Sequence, residues 1–294
     1  MNFYKNFFEI LFNKLTNKKM KTLKQIPLVI FLLTLIISCD KVEPIIEEIQ
    51  EFEAVEVQTI SAKWNVNNSS EYHSFEFTEN GNYIVVKNET SKTTDARIVL
   101  YGTYELIDAN RIDLKDFGII KISDINKNTI SFSVILTNDS NNEVFVDASK
   151  QDEIISSTNT DLLCRTWKLL ELNGEPVEGT DLELTVLFSK AGTYFVKYEN
   201  FDEYFEGGLY KWKWKNAEET QLFYSYEEVL QWKVEGYVDI VEISENSLII
   251  EEQHEYGGTF TYLFKPESNL KSGLIKSSKK SPLGVPSKFF NKQL

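Results

Sequence analysis

The stretch FEFTENGNYIVV, residues 75–86, decides the fold class of this chain. Apolar residues flank the pair Asn80-Gly81 on both sides. An Asn-Gly pair between two apolar runs is a strong signal for a tight β-hairpin turn. An isolated hairpin is only marginally stable in water, so it needs further strands against which to bury its apolar face. The stretch therefore predicts an antiparallel sheet that continues along the chain.

Further short apolar runs follow this hairpin. Turn residues separate them about every eight to twelve residues, a spacing typical of an antiparallel sandwich or barrel. The predicted strands are Tyr101–Leu106, Arg111–Leu114, Ile119–Ile122, Thr129–Leu136 and Glu143–Val146.

The same pattern then occurs a second time. The first two matched segments are offset by 103 and 111 residues, so an insertion separates them in the second copy. A period of about a hundred residues indicates a tandem domain, because solenoid units repeat at roughly 20–50 residues. The corresponding segments are 61–66 and 164–169, 75–83 and 186–194, 101–104 and 207–210, and 122–130 and 241–249.

Three motifs of the second copy resemble the lipocalin-like domains of bacterial lipoproteins. They are LLCRTWKL (162–169), FSKAGTY (188–194) and TFTYLF (259–264). A glycine is commoner in that family where Cys164 or Arg165 stands. The first copy keeps fewer of the matching residues, namely Trp64, Gly81, Tyr83 and Gly102. The resemblance covers residues 57–266 and implies two small up-and-down β-barrels without catalytic residues.

The N-terminal region has the features of a secretory signal. Residues 26–37 form a run of twelve uncharged, mostly apolar residues, which is too short for a membrane span of roughly 20 residues. Lys21 and Lys24 precede the run and the small residue Ser38 follows it. We predict a signal peptide over residues 1–38, with Met20 as the true start.

The end of this signal resembles the lipobox of bacterial lipoproteins. Ile36-Ile37-Ser38-Cys39 matches its pattern of an apolar, a tolerant and a small residue before cysteine, although leucine is commoner at the first position. The resemblance implies cleavage before Cys39, with acyl chains on its thiol and new amine. Two or more chains hold a protein firmly at a membrane. We predict lipid anchoring in the bacterial cell envelope, at the outer rather than the inner membrane; the leaflet stays open.

Charge divides the rest of the chain into regions. Residues 39–294 contain 25 basic and 44 acidic residues, a net charge of −19, which disfavours binding to nucleic acid. We predict a lipidated acidic tether over 39–56 and a basic disordered tail over 267–294, where the lysines cluster. Between them lie the predicted barrel domains, 57–150 and 162–266, joined by a linker over 151–161.

The second copy is crowded with aromatic residues. In LYKWKWK (209–215), strand alternation places the aromatic side chains on one face and the lysines on the other. Such a face is either an ordinary barrel core or a ligand pocket, because Tyr and Trp combine large flat contacts with a polar tip. We predict Trp64 and Trp167 to plug the barrels. The candidate ligand-binding residues are Tyr210, Trp212, Trp214, Tyr224, Tyr226 and Trp232.

The sequence contains no recognisable catalytic or metal-binding motif. His73 and His254 are the only histidines, and they do not occupy matching positions in the two copies. Cys164 has no neighbouring histidine and is predicted to be a buried structural thiol. We predict a non-catalytic protein without cofactor or metal. Its barrels bind a small apolar or aromatic ligand or an envelope protein; the alternative is a scaffold or inhibitor with filled barrels.

The lipid anchor generates the first testable prediction. Replacing Cys39→Ala removes the thiol that would carry the acyl chains, so we expect the protein to move from the membrane pellet to the soluble fraction. Fractionation of the producing cells and immunoblotting measure this. A Cys164→Ala variant is the control and should stay with the membrane. Cys39→Ala protein that still pellets with membranes would contradict the anchor.

Overall fold

The computed structural model describes residues 56–69, 71–88, 97–200, 207–225, 236–253, 257–268, 270–277 and 289. All of them belong to one compact unit, Phe52–Leu294. The predicted signal peptide and Cys39 lie outside the described residues, as does the predicted tether up to residue 55. No helix among the described residues is long and apolar enough to cross a membrane.

The first copy is a closed antiparallel barrel of eight strands. Each strand pairs with the next, and the ring closes because the first strand also pairs with the eighth. The short helix α1 (Val57–Ile60) precedes it. The strands are β1 (Ala62–Val66), β2 (Tyr72–Phe77), β3 (Asn82–Asn88), β4 (Arg97–Leu106), β5 (Arg111–Leu114), β6 (Gly118–Ile125), β7 (Thr129–Leu136) and β8 (Asp139–Lys150).

The second copy repeats this architecture. Helix α2 (Thr158–Leu163) precedes it and occupies part of the predicted linker. The ring closes through pairing of its first and last strands, and a two-residue strand extends one hairpin. The strands are β9 (Thr166–Leu172), β10 (Glu175–Pro176), β11 (Leu184–Phe188), β12 (Thr193–Tyr198), β13 (Gly207–Trp214), β14 (Gln221–Ser225), β15 (Gly236–Ile243), β16 (Leu248–Gln253) and β17 (Thr259–Pro266). The predicted all-β fold of two tandem antiparallel barrels is confirmed, and both barrels fit a lipocalin-like fold.

A tryptophan plugs each barrel in the same way. Trp64 and Trp167 are fully buried. The indole nitrogen of Trp64 donates to the carbonyl of Ile60 at 2.9 Å, and that of Trp167 donates to the carbonyl of Leu163 at 3.0 Å. Both acceptors are the last residues of the short helices, so each indole fixes a helix to its barrel while it fills the interior.

The hairpin turns of the two copies also match. Gly81 and Gly192 have φ angles of 75° and 74°, a left-handed conformation that favours glycine. The carbonyls of these glycines accept hydrogen bonds from the backbone nitrogens of Tyr104 and Trp212 respectively, each at 2.8 Å. Tyr104 and Trp212 are therefore structural equivalents, whereas the predicted match pairs Tyr104 with Tyr210. A shift of two residues keeps every side chain on its face, so the sequence pattern alone does not reveal it.

The fourth predicted match, 122–130 with 241–249, differs from the structural equivalence by one residue. Strand β6 has a bulge after Ile122, and β15 has the corresponding bulge after Ile240. Ile122 is therefore equivalent to Ile240 and not to Val241, whose side chain is 56% exposed. A bulge interrupts the alternation of faces, which removes the signal that would otherwise detect a one-residue slip.

The two barrels pack against each other through equivalent outer faces. Side chains of β3 and β4 contact side chains of β11, β12 and β13 in a shared apolar cluster. Within it, the ring centroids of Tyr101 and Phe195 lie 4.6 Å apart. At the edge of this cluster, Asn82 donates to the hydroxyl of Thr166 at 3.4 Å. The cluster consists of Ile84, Val86, Val99, Tyr101, Leu187, Phe195, Leu209 and Leu270.

Two parts of the predicted disordered tail are ordered instead. Strand β18 (Gly273–Ser277) pairs with the first five residues of β4, so the chain returns from the second barrel to extend the first sheet. Phe289 is fully buried in the core of the second barrel. The low apolar content of the tail predicts disorder, but one free strand edge and one aromatic side chain suffice to hold these two pieces.

A buried ion pair lies where the barrels meet. The Lys63 ammonium lies 3.6 Å from a carboxylate oxygen of Glu76 and donates to the hydroxyl of Thr193 in the second barrel at 3.1 Å. Glu76 is 2% exposed, and neither of its carboxylate oxygens has a hydrogen-bond partner in the structure. The nearby lysine is therefore the described charge that compensates this carboxylate.

Removing this lysine alone should destabilise the protein strongly. We expect Lys63→Met to lower the free energy of unfolding by about 3–5 kcal/mol, because an uncompensated carboxylate then remains buried. Urea unfolding of the purified chain measures this. The double variant Lys63→Met/Glu76→Gln should regain much of the loss. A single variant within about 1 kcal/mol of the native chain would show that water compensates Glu76 instead.

Candidate functional site

The interior of the second barrel contains most of the predicted ligand-binding residues. Tyr210, Trp212 and Tyr224 are buried there, and Trp214 is partly buried against the same core. Tyr226 and Trp232 lie outside the described residues. The structure thus brings four of the six candidates together on the inward faces of β13 and β14. A ligand role for any of them stays a prediction.

The two tryptophans among these four donate hydrogen bonds to the framework of the barrel. Trp212 is 1% exposed, and its indole nitrogen donates to the carbonyl of Ser189 in the hairpin turn at 3.1 Å. Its equivalent Tyr104 donates to the carbonyl of Thr78 in the first barrel at 2.9 Å. The indole of Trp214 donates to the hydroxyl of Thr160 in α2 at 2.8 Å. These contacts make both tryptophans part of the framework of the barrel.

A residue from the tail occupies the interior beside the tyrosines. The ring centroid of Phe289 lies 5.1 Å from that of Tyr194 and 5.2 Å from that of Tyr224. The ring also stacks on Phe188 at 6.3 Å. Phe289 lies 23 residues beyond Pro266, the last residue of β17 (289 minus 266). The barrel therefore takes an aromatic side chain that its own strands do not supply.

Both backbone polar atoms of Phe289 are recognised by side chains. The hydroxyl of Tyr194 donates to its carbonyl at 2.9 Å. Its N–H donates to the carboxylate of Glu252 at 2.9 Å. Two polar groups on different strands thus bind the two halves of one amino-acid unit, while aromatic rings surround its side chain.

The Glu252 carboxylate is also held by the barrel itself. Its side chain points inward from β16 and is 4% exposed. The hydroxyl of Tyr262 donates to one oxygen at 3.1 Å, and the hydroxyl of Tyr224 donates to the other at 3.4 Å. A buried carboxylate is costly without such partners. The two tyrosines therefore orient the carboxylate that accepts the N–H of Phe289.

The protonation state of the site suits hydrogen bonding. Burial raises the pKa of Tyr194 well above its usual value, with neighbouring Tyr210 and Tyr224 adding to the effect. The Tyr194 hydroxyl therefore keeps its proton at neutral pH and donates it to a carbonyl. A phenol with a raised pKa is a poor general base near neutrality, so this arrangement favours binding over proton abstraction.

The first barrel provides an internal comparison. Tyr83 is the equivalent of Tyr194, and its hydroxyl donates to the carbonyl of Lys115 in the β5–β6 turn at 2.8 Å. Phe117 from the same turn lies 6.3 Å from the Tyr83 ring. The first barrel thus fills the matching space with a residue of its own short turn. In the second barrel the corresponding connection spans residues 226–235, which the structure does not describe.

The polar groups around Phe289 have apolar counterparts in the first barrel. In the first barrel Val134 lies opposite Val144, and in the second barrel Glu252 lies opposite Phe260 at the same place in the sheet. Val134 is therefore the counterpart of Glu252. By the same registers, Val146 is the counterpart of Tyr262, and Leu114 is the counterpart of Tyr224. The interior of a barrel of this fold therefore does not need a carboxylate for stability. Tyr194 has a counterpart in Tyr83, whereas the polar residues Tyr224, Glu252 and Tyr262 are specific to the second copy.

A small cavity lies between the barrels. It has a volume of ≈ 40 Å³ and is lined by polar and apolar residues of both copies. Lys190 at its edge forms ion pairs with Glu79 at 3.3 Å and with Asp161 at 3.0 Å. Further lining residues are Glu76, Thr78, Glu153 and Ser189. Its size suits a few water molecules better than an organic ligand.

Cys164 lies beside this cavity and is partly buried. Burial raises the pKa of its thiol, so the thiolate needed for nucleophilic attack is disfavoured. Within the described ranges there is no group of three or more His, Cys, Asp or Glu side chains that could hold a metal ion.

Comparison with known proteins adds no family assignment. No protein-family model matches this chain, and a search of curated proteins found no significant match. Function is therefore inferred from the geometry of the second barrel.

Several residues of this site have a weak signal or none in the sequence. Glu252 carried a usable signal, because it follows Leu248 and Ile250 at an inward position of LIIEEQ where an apolar residue is expected. Tyr194 and Tyr262 were included in the fold motifs but were not distinguished from core residues. Phe289 had no signal, since nothing in the sequence links a tail residue to a distant barrel.

The framework role of Trp212 can be tested. We expect Trp212→Ala to lower the free energy of unfolding by about 3–5 kcal/mol, because it removes a fully packed ring and its hydrogen bond to Ser189. Urea unfolding followed by circular dichroism measures the loss. The exposed Val241→Ala variant is the control and should change stability by no more than about 0.5 kcal/mol. A Trp212→Ala protein of native stability would instead place this ring in an open pocket.

Proposed function

We propose that this chain is a non-catalytic binding protein, lipid-anchored through Cys39 in the bacterial cell envelope, whose second barrel holds an aromatic ligand. The observation that carries the proposal is the polar set Tyr194, Tyr224, Glu252 and Tyr262, closed around an aromatic ring inside a barrel. A few placed polar groups in an aromatic cavity are the usual composition of a ligand site.

The contrast between the copies supports a binding role for the second barrel. The first barrel has valine and leucine at the positions of Glu252, Tyr262 and Tyr224, and its own turn fills its interior. Placing a carboxylate inside a barrel opposes folding unless that group gains a partner. Recognition of a ligand gives a reason for retaining such a group, and core packing does not.

The alternative function is that of a scaffold or inhibitor-type interaction protein. Two observations favour it: both interiors are filled by side chains, and the barrels share an apolar interface. In this case Phe289 is a permanent part of the core. The outer surface would then carry the function, and the interior would never exchange its contents.

Native mass spectrometry of protein purified gently from the envelope distinguishes the two functions. We expect Phe289→Ala to carry an additional mass that is lost on denaturation, because the vacated site retains its polar groups. The matched control is Phe117→Ala, which removes the counterpart ring from the first barrel and should carry no such mass. A Phe289→Ala protein without added mass, or the same added mass on both variants, would favour the scaffold function.

A further inference from the structure

We propose that the second barrel is a peptide-binding site for a basic segment with an aromatic residue, and that Phe289 of the same chain is its resident, exchangeable occupant. This inference rests on the proposed function and specifies its ligand. It commits to a polypeptide, and the chain's own tail shows how such a ligand is seated.

The hydrogen bonds identify the chemical class of the ligand. Tyr194 donates to the carbonyl of Phe289 and Glu252 accepts from its N–H, each at 2.9 Å. The site thus binds an N–H and a C=O that flank a carbon bearing a benzyl group. A simple aromatic hydrocarbon offers neither polar atom; it would leave the Tyr194 hydroxyl without this acceptor and Glu252 with one donor fewer, which is costly in a buried site. An aromatic residue within a peptide satisfies all three features.

The site is prepared to accept this unit before it arrives. Glu252 keeps hydrogen bonds from Tyr224 and Tyr262 on its two oxygens, independently of Phe289. A carboxylate fixed in this way loses little freedom on accepting one further N–H, so the arrangement favours binding. Phe117 in the first barrel needs no such side chain, because its N–H donates to the backbone carbonyl of Leu114 in its own turn at 2.9 Å.

Charge favours a basic peptide. Residues 162–266 contain nine basic and twenty acidic residues, a net charge of −11, whereas residues 57–150 contain nine and thirteen, a net charge of −4. Residues 268–294 contain six lysines and no acid. The acidic barrel therefore attracts the basic tail, and it attracts a competing peptide of the same character for the same reason.

The attachment of Phe289 makes exchange feasible. Unlike Phe117, which the three-residue turn between β5 and β6 holds in place, Phe289 lies on no described strand or helix of the barrel. Its removal breaks the two described hydrogen bonds and the described ring contacts but no described strand pairing of the barrel. A peptide that makes the same contacts can replace it without unfolding the domain.

The test uses the full mature chain made soluble by Cys39→Ala. The probe is the acetylated, amidated peptide SKFFNKQL, residues 287–294, titrated by calorimetry. We expect Phe289→Ala protein to bind the peptide at least about tenfold more tightly than the chain with Phe289 in place, because no internal residue competes. An analogue with an ester oxygen in place of the Phe289 N–H should bind about tenfold more weakly.

Matched variants assign the contacts. In the Phe289→Ala background, Glu252→Gln should weaken peptide binding about tenfold, since the charge-assisted hydrogen bond is lost. The control Glu251→Gln removes the same charge from the neighbouring residue and should leave the affinity within about twofold. Toluene that binds as tightly as the peptide and is insensitive to Glu252→Gln would overturn the peptide site while leaving an aromatic-binding barrel intact.

A second measurement keeps the inference testable if Phe289→Ala fails to fold. The chain with 4-fluorophenylalanine at position 289 reports the environment of this ring by fluorine NMR. We expect added peptide to transfer the signal from a buried to a solvent-exposed position in a saturable way. No transfer at millimolar peptide would overturn exchange. Transfer on raising the protein concentration alone, with a dimer mass, would overturn the partner peptide in favour of a second copy's tail.

Discussion

A closed barrel of eight strands encloses an interior that side chains must fill, and the rest of this structure depends on how each copy meets that requirement. Both barrels use a tryptophan whose indole N–H is bound by the end of a short helix. Both also place a tyrosine at the same point of the third strand. They differ in what lies over that tyrosine: a local turn in the first barrel, and a distant tail residue in the second. The source of a single ring thus separates the first barrel, which fills its interior from a local turn, from the second barrel, which takes a ring from the tail.

The sequence predicted the parts of the fold that depend on local patterns. The Asn80-Gly81 turn, the alternation within each strand and the two Trp motifs all follow from contacts between near neighbours, and these predictions are confirmed by the barrels. The register of the repeat was harder, because a shift of two residues at Tyr104 or a bulge after Ile122 changes little in the pattern of apolar residues. The aromatic face at Tyr210, Trp212 and Trp214 was found, but its hydrogen bonds to the Ser189 turn and to α2 depend on long-range packing. Strand β18 and Phe289 could not be predicted, since their partners are set by tertiary structure alone.

The interface between the barrels joins the two copies into one body. Apolar side chains from equivalent outer faces meet at its centre, and the Lys63 ammonium connects the Glu76 carboxylate of one barrel to Thr193 of the other. After the second barrel the chain continues to β18, which pairs with β4 of the first barrel and so links the two barrels again. The first barrel therefore holds the second in a defined orientation and also anchors the chain that leads to Phe289.

The pairing of β18 with β4 also sets the local concentration of Phe289 at the second barrel. Ser277 is fixed on the first barrel, and twelve residues later Phe289 reaches the second barrel (289 minus 277). A connection of this length keeps Phe289 near the second barrel at an effective concentration on the order of millimolar. In the proposed exchange, a free peptide competes with this local Phe289, whose concentration does not change when the protein is diluted. The length of the connection, as much as the chemistry of the site, then determines how abundant a competing peptide must be before it is bound.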